Sequence, residues 1–372
     1  APETFYLDPA KGGQRRLMDL TLAYHREVVR TIEHLASSFK NGFGRPTLAL
    51  TYLPGNGNMS RSTLLSSTVM DGLVVLPGYL RERAPGSAAL PNMPIVGSAR
   101  LHAKFFIEEV DFRTEYSDFA NQERRRWLGM AEGVAGHAHQ LRRQYGSIFA
   151  RGGTGWFMNI GQKADGGWDG PFAPILGEVQ RAAALLVKEK ATAETEQVAV
   201  FADETFQAYV SMKNREDHLM QYVNGAWRAL NYSGLTHQTY LLGDLTHPRR
   251  PKASICVFTA ASSLSTNQIT WIEQNLQKDG HILVFIGDAG RLAPGGFEVN
   301  IKRLCGMRVC LRPELIVSHN FSPDRFPDPL ATPIPNNSVW VKTPSGPLCY
   351  VDDPSATPLA LLAGSSFIGV AV

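Results

Sequence analysis

The segment from Lys104 to Thr114, Lys-Phe-Phe-Ile-Glu-Glu-Val-Asp-Phe-Arg-Thr, decides how the rest of the sequence is interpreted. An apolar run leads directly into Glu108 and Glu109, and Asp111 and Arg113 follow. Because successive side chains of a β-strand point to opposite faces, only one of the two glutamates can face a site at the strand end. In a βα barrel the carboxyl ends of the strands form the active site, although the same charges could also form surface salt bridges.

Strands and helices alternate on both sides of this segment. The predicted strands cover residues 47–53, 70–76, 103–110 and 154–160. The predicted helices cover residues 13–40, 60–68, 121–149 and 175–189. These strands are too apolar to have a face in water, which is typical of parallel βα units. The opening helix suggests that the chain enters a barrel midway, and we expect residues 1–192 to form a partial TIM barrel of four strands.

A polar stretch at residues 192–196 predicts a domain boundary. Beyond it, strands are predicted at 197–202, 239–243, 253–259 and 281–286, with helices at 217–231 and 265–279. This alternation indicates a doubly wound α/β domain over residues 193–315. Residues 316–372 are rich in proline, with short strands predicted at 338–342 and 348–351.

Composition narrows the possible functions. The chain has 372 residues, 44% of them hydrophobic and 19% charged, with a net charge of +3. The sequence contains no dense block of Lys and Arg, so nucleic-acid binding is not suggested. It also contains no apolar run of roughly 18 residues, the length of a membrane-spanning helix. The four cysteines show no metal-ligand spacing. Free thiols are the favoured interpretation, although Cys305 and Cys310 are close enough in sequence to pair. His137 and His139 lie two residues apart in a predicted helix and do not share a face, so a metal site is not indicated there.

A resemblance to a known enzyme group extends this interpretation. Residues 98–104, Glu109 and the run 111–114 resemble the seventh barrel strand of the β-galactosidase-like glycoside hydrolases related to family 42. Members of that group carry a Ser, a Lys and an E-x-D-x-R-T pattern in this order, which places Glu109, not Glu108, on the nucleophile. Residues 48–53 and 73–81 are similar to the fifth and sixth strands, and residues 155–168 are similar to the eighth strand and its loop.

The resemblance also implies roles for further residues. Those expected to line the sugar subsite are Tyr52, Tyr79, Asn159 and Trp168. Those expected to support the nucleophile are Lys104, Asp111 and Arg113. Aromatic rings near strand ends, Trp156 included, could stack on sugars or simply pack in the core. No metal or organic cofactor is implied. The chain departs from the family at Asn159, where Asp is common, and by an insertion at residues 162–166.

The second domain resembles the glutamine-amidotransferase-like domain that follows the barrel in this group and makes subunit contacts. A homo-oligomer formed through this domain is therefore expected. No cysteine occupies a strand-to-helix elbow, since Cys256 lies in the middle of a predicted strand. This absence argues against amidotransferase activity.

The second carboxyl group of the expected catalytic pair, the acid/base, is not evident in the sequence. Retaining glycosidases use two carboxyl groups about 5 Å apart. In the family the acid/base follows the fourth strand, and nothing before Thr47 resembles that strand, although Glu3 is a weak candidate. The chain could be a fragment, one half of a split enzyme, or a non-catalytic subunit. A half-barrel exposes open edges and half of an apolar core, so we expect a companion chain or an N-terminal half that completes it.

The function that the sequence favours is a retaining exo-glycosidase for β-linked, galactoside-like sugars, with Glu109 as nucleophile. The alternative is a structural or assembly subunit derived from such an enzyme. A carbohydrate-binding module is less favoured, because binding alone does not require a carboxylate at a strand end.

Overall fold

The computed structural model describes residues 6–52, 59–76, 95–111, 131–158, 172–189, 196–211, 223, 225–278, 280–312, 319–321, 348–362 and 368–372. The chain forms two compact units. One comprises His25–Ala199 and Trp227–Tyr240, and the other comprises Ala1–Tyr24, Val200–Ala226 and Leu241–Val372. None of the helices in the described residues is long and apolar enough to cross a membrane.

A four-stranded parallel sheet contains the decisive segment. Its strands are β1 Leu50–Tyr52, β2 Gly72–Val75, β3 Phe105–Asp111 and β4 Thr154–Met158, in the order β1-β2-β3-β4. All three neighbouring pairs run parallel. The four predicted strands are confirmed, each shorter than the apolar run that predicted it, and residues 159 and 160 lie outside the described residues.

Within the described residues, five helices accompany this sheet: α1 Gly12–Gly42, α2 Arg61–Ser66, α3 Val96–Leu101, α4 Gly133–Ala150 and α5 Ala173–Lys188. Helices α4 and α5 cover one face of the sheet, where Val110 packs in a buried cluster with Leu141, Tyr145, Ile148 and Ile175. Helix α3 was not predicted, because it follows a polar, proline-containing stretch. The predicted helix at residues 121–149 is observed from Gly133 onward, and residues 121–130 are not among those described.

The sequence also predicts that Ser60 caps the short helix at residues 60–68, and this prediction needs correction. Ser60 does not cap α2 with its side chain, since its hydroxyl donates to the carbonyl of His25 at 3.0 Å. In α1 the apolar stripe includes Leu20 and Phe39, and both are exposed, whereas Met18 and Val29 on the other side are buried. The spacing of the apolar residues therefore predicts an amphipathic helix, but it does not predict which side of that helix is buried among the described residues.

A second sheet has the strand order β6-β5-β7-β8. Its strands are β5 Val198–Ala202, β6 His237–Leu241, β7 Ile255–Thr259 and β8 Ile282–Ile286, with helices α6 Gly225–Ser233, α7 Thr266–Asn275 and α8 Phe297–Cys305. Strands β7 and β8 are parallel. The rings of Phe201, Phe258 and Phe285 stack across β5, β7 and β8 with centroid distances of 5.4 and 5.0 Å. As predicted, Ser265 begins α7, here through a capping box with Gln268.

The last sheet is five-stranded, with antiparallel pairs, in the order β10-β12-β13-β11-β9. Its strands are β9 Val309–Arg312, β10 His319–Phe321, β11 Leu348–Val351, β12 Pro358–Leu362 and β13 Ile368–Ala371. The predicted strand at 348–351 is confirmed, and the one at 338–342 lies outside the described residues. The four cysteines are free thiols, of which only Cys256 is buried.

Gly72 tests the packing of the first sheet. A Cβ atom at this position would lie 2.5 Å from the carbonyl oxygen and 2.6 Å from the Cβ of Phe105, so β2 could not keep its distance from β3. We expect Gly72→Ala to lower the free energy of unfolding by about 1–3 kcal/mol, measured by urea denaturation. The matched control is Gly146→Ala in α4, where nothing lies within 4 Å, and which should be neutral or slightly stabilising. Equal stability of the two variants would contradict this packing.

Candidate active site

The adjacent glutamates of β3 point to opposite faces of the first sheet, as strand alternation predicts. Glu109 stands beside Trp156 in the register of β3 and β4, and its carboxylate accepts a hydrogen bond from the hydroxyl of Tyr52 on β1. The rings of Tyr52 and Trp156 are 6.5 Å apart and tilted by 48°. Glu109, Tyr52 and Trp156 therefore share the face that α4 and α5 do not cover.

Two carboxylates meet at the carboxyl end of β3 on this face. Glu109 is 4% exposed, and Asp111, two residues further along the same face, is fully buried. A carboxylate at the end of a parallel strand, held in one orientation by a phenol, is suited to act as a nucleophile or a proton acceptor.

Tyr52 acts as the donor in this pair. Burial raises its pKa to about 12, and the hydrogen bond to Glu109 and the negative charge of that carboxylate add to the effect. The phenol is therefore protonated at neutral pH and holds the Glu109 carboxylate by donation. The family resemblance implies that Tyr52 lines the sugar subsite, and in the structure its hydroxyl contacts Glu109.

Glu108 faces the helices on the other side of the sheet. It is buried and accepts a hydrogen bond from the side-chain amide of Gln144 on α4. Arg151, directly after α4, is also buried, and the charge of Glu108 opposes the lowering of its pKa that burial causes. Gln238 donates to the carbonyl of Arg151 at 2.8 Å. Sequence reasoning missed this network, because its members are distant in the chain and no local pattern joins them.

Lys104 is not brought to Glu109. Its ammonium donates to the carbonyls of Ser67 at 2.6 Å and Met70 at 2.7 Å, at the amino end of the sheet. At about 3.3 Å per residue, the five intervening steps put its backbone roughly 16 Å from that of Glu109. In the structure Lys104 thus holds the start of β3 to the segment before β2, and a contact with Glu109 is not among its described hydrogen bonds.

The remaining expected site residues, which are Tyr79, Arg113, Asn159 and Trp168, lie outside the described residues, as does Glu3. Of the expected set, the structure brings Tyr52, Glu109 and Asp111 to one face and adds Trp156. Within the described part of the chain, no group of three or more His, Cys, Asp or Glu side chains is placed to hold a metal ion.

Comparison with known proteins gives a fold relationship. No family model matches the sequence, and no curated protein is similar to it in sequence. The structure is similar to that of the β-galactosidase from the psychrophilic Marinomonas ef1, with a TM-score of 0.51 and 11% identity, over 91% of this chain and 53% of that chain. The chain thus spans about half the length of that β-galactosidase. At this identity the likeness shows a shared mixed α/β fold.

The two glutamates should differ in their effect on stability. Glu108→Gln removes the charge facing Arg151 and weakens a buried charge-assisted hydrogen bond, so we expect a loss of about 1.5–3 kcal/mol in the free energy of unfolding. Glu109→Gln keeps an acceptor for Tyr52 and should cost less than about 1 kcal/mol. Urea denaturation of both variants measures the difference, and a Glu109→Gln variant at least as destabilised as Glu108→Gln would refute the assignment of faces.

The titration of Tyr52 should report its contact with Glu109. Because its pKa in the folded protein is raised from 10.0 to about 12, the stabilisation that it contributes is present below pH 10 and is lost as the pH rises through 12. In Glu109→Gln the pKa should fall part of the way toward 10.0, since burial, the largest cause, remains. The ultraviolet absorbance of tyrosinate measures the pKa of Tyr52. The Tyr52→Phe variant gives the absorbance of the other tyrosines, which is subtracted. Unchanged titration in Glu109→Gln would contradict the contact.

Proposed function

We propose that this chain is the nucleophile-bearing half of a retaining exo-glycosidase that acts on β-linked, galactoside-like sugars. The observation that carries the proposal is the position of Glu109. Its carboxylate lies at the carboxyl end of a parallel strand, on the face free of α4 and α5, with Tyr52 donating to it. The likeness to a β-galactosidase fold supports the same function at a coarse level.

In the proposed reaction Glu109 attacks the anomeric carbon and displaces the aglycone, which leaves a glycosyl ester on its side chain. A second carboxyl group about 5 Å away protonates the leaving oxygen and then activates the water that hydrolyses the ester. We assign that acid/base to a companion segment or chain. Tyr52 keeps Glu109 oriented, Asp111 and Arg113 complete the local network, and Tyr79, Asn159 and Trp168 line the sugar subsite. No metal or organic cofactor takes part.

The architecture proposed with this function is strands five to eight of a TIM barrel within residues 1–192. The consecutive parallel order β1-β2-β3-β4 supports it, because neighbours in sequence are neighbours in a barrel. An amidotransferase-like domain follows at residues 193–315, where the order β6-β5-β7-β8 reverses as in doubly wound sheets. We assign homo-oligomer contacts to this second domain, and residues 316–372 form a third segment.

A non-catalytic assembly subunit is the second candidate. Asn159 in place of the Asp common in the family and the insertion at residues 162–166 favour it. The presence of a glutamate from a companion within about 5 Å of Glu109 distinguishes the enzyme from the subunit.

Covalent trapping tests the role of Glu109. A 2-deoxy-2-fluoro-β-galactoside with a dinitrophenolate leaving group requires no acid catalysis, so the sugar should remain on the nucleophile of the assembled protein. Mass spectrometry of the peptides should locate the adduct on Glu109. Glu109→Gln should give no adduct, whereas Glu108→Gln, kept well below its unfolding temperature, should still be labelled. An adduct on another residue, or none on the assembled protein, would refute the nucleophile assignment.

A further inference from the structure

A buried polar pair stands directly behind Glu109. Its neighbour Glu108 points to the helix side of the sheet and is 3% exposed, and its carboxylate accepts a hydrogen bond from the side-chain amide of Gln144 on α4, which is 5% exposed. Burying a carboxylate costs free energy unless it is hydrogen-bonded and its charge is balanced. Apolar side chains of similar volume often fill such a layer without loss of stability, so the polar pair points to a role besides packing.

Arg151 balances the charge of Glu108. This arginine follows α4 directly and is buried, and burial lowers its pKa while the negative charge of Glu108 opposes that lowering. The carbonyl of Arg151 accepts a hydrogen bond of 2.8 Å from the side chain of Gln238 on β6, which fixes the end of the helix. Two points of one helix, Gln144 within it and Arg151 just after it, therefore act on Glu108.

The backbone at Glu108 is closely packed. In the register of β3 and β4, Glu108 lies opposite Gly155. A Cβ atom at Gly155 would lie 3.1 Å from the carbonyl oxygen of Glu108 and 3.0 Å from the Cδ1 of Ile148 on α4. The glycine thus lets β3, β4 and α4 approach one another at this position. Because Glu109 is the next residue of the same strand, a shift or rotation of Glu108 moves Glu109 with it.

We propose that Glu108 is a positioning residue for Glu109, acting through its hydrogen bond to Gln144 and the opposite charge of Arg151. We call Glu108, Gln144 and Arg151 the bridge. The bridge fixes β3 along its axis and in rotation on the helix side, so that Glu109 meets the hydroxyl of Tyr52 on the other side. Successive residues of a strand serve opposite faces, so a restraint on one face also fixes the other. This inference rests on the proposed function in one respect, since a fixed Glu109 serves attack on the anomeric carbon.

Two measurable properties of Glu109 should depend on the bridge. The first is its hydrogen bond with Tyr52, which together with burial raises the pKa of that phenol to about 12. The second is its rate of attack, because misplacing a reacting group by about 1 Å can lower a rate about a hundredfold. A residue with a purely structural role would lower stability and leave both properties unchanged in the molecules that remain folded.

Loss and rescue of the bridge test the proposal in the native assembly. Gln144→Leu removes the donor to Glu108 and keeps a side chain of similar size. The pKa of Tyr52 should then fall part of the way from about 12 toward 10.0, followed by carbon NMR of protein labelled at the tyrosine Cζ. Trapping of Glu109 by the fluorinated galactoside should become about tenfold slower. The exchanged variant, Glu108→Gln with Gln144→Glu, rebuilds the hydrogen bond and should restore both values.

The matched control is Ile175→Ala, which truncates a side chain of α5 in the buried cluster around Val110 and lies outside the bridge. It should lower stability and leave the titration of Tyr52 and the labelling rate of the folded protein unchanged. If Gln144→Leu does not fold, Glu108→Gln takes its place, since it removes the charge opposite Arg151 and keeps an acceptor for the amide. The same directions are expected for it.

Three results decide the proposal. Unchanged titration and labelling in Gln144→Leu would overturn the positioning role, as would equal changes in Ile175→Ala. A failure of the exchanged variant to restore the pKa of Tyr52 would overturn it as well. A lowered and restored pKa in a protein that forms no adduct on Glu109 would uphold the bridge and refute the glycosidase, because the titration does not depend on catalysis.

Discussion

Burial of both faces is the constraint on which the first parallel sheet depends. The face toward α4 and α5 is buried, because Val110 packs there against apolar side chains of both helices. The other side leaves Phe105 and Trp156 half exposed. Among the described residues, the exposed side chains of this face are apolar or aromatic, whereas its carboxylates Glu109 and Asp111 are buried. The face opposite α4 and α5 therefore carries the residue on which the proposed function rests.

Alternation along β3 gives two neighbouring glutamates separate environments. Glu108 lies among buried polar groups of α4, where Gln144 and the charge of Arg151 stabilise it. Glu109 lies on the face opposite α4 and α5 and accepts a hydrogen bond from the phenol of Tyr52 on β1. The first fixes the strand against its helix layer, and the second is held by a phenol on the other face of the sheet. One step along the backbone therefore gives two neighbouring carboxyl groups opposite faces and different partners.

The sequence predicted those features that depend on local periodicity. The strands of the first two sheets, the start of α7 at Ser265, and the opposite orientations of Glu108 and Glu109 follow from spacing and residue type alone. Contacts between distant segments could not be predicted in this way. Gln144 reaches Glu108 across 36 positions, and Lys104 binds the carbonyl of Met70 across 34. Most strands of the C-terminal sheet were missed, because runs of three to five residues carry too little periodic signal.

The hydrogen bond between Tyr52 and Glu109 has a mechanical consequence. It joins β1 to β3 over the top of β2, and therefore spans two strand spacings of about 4.8 Å each on one side of the sheet. A tether of this kind shortens the side on which it lies relative to the helix side. Such a tether favours curvature toward Trp156, which is the sense of curvature that a closing cylinder of strands requires. The side chain that orients the carboxylate thus also resists flattening of the strands on either side of β2.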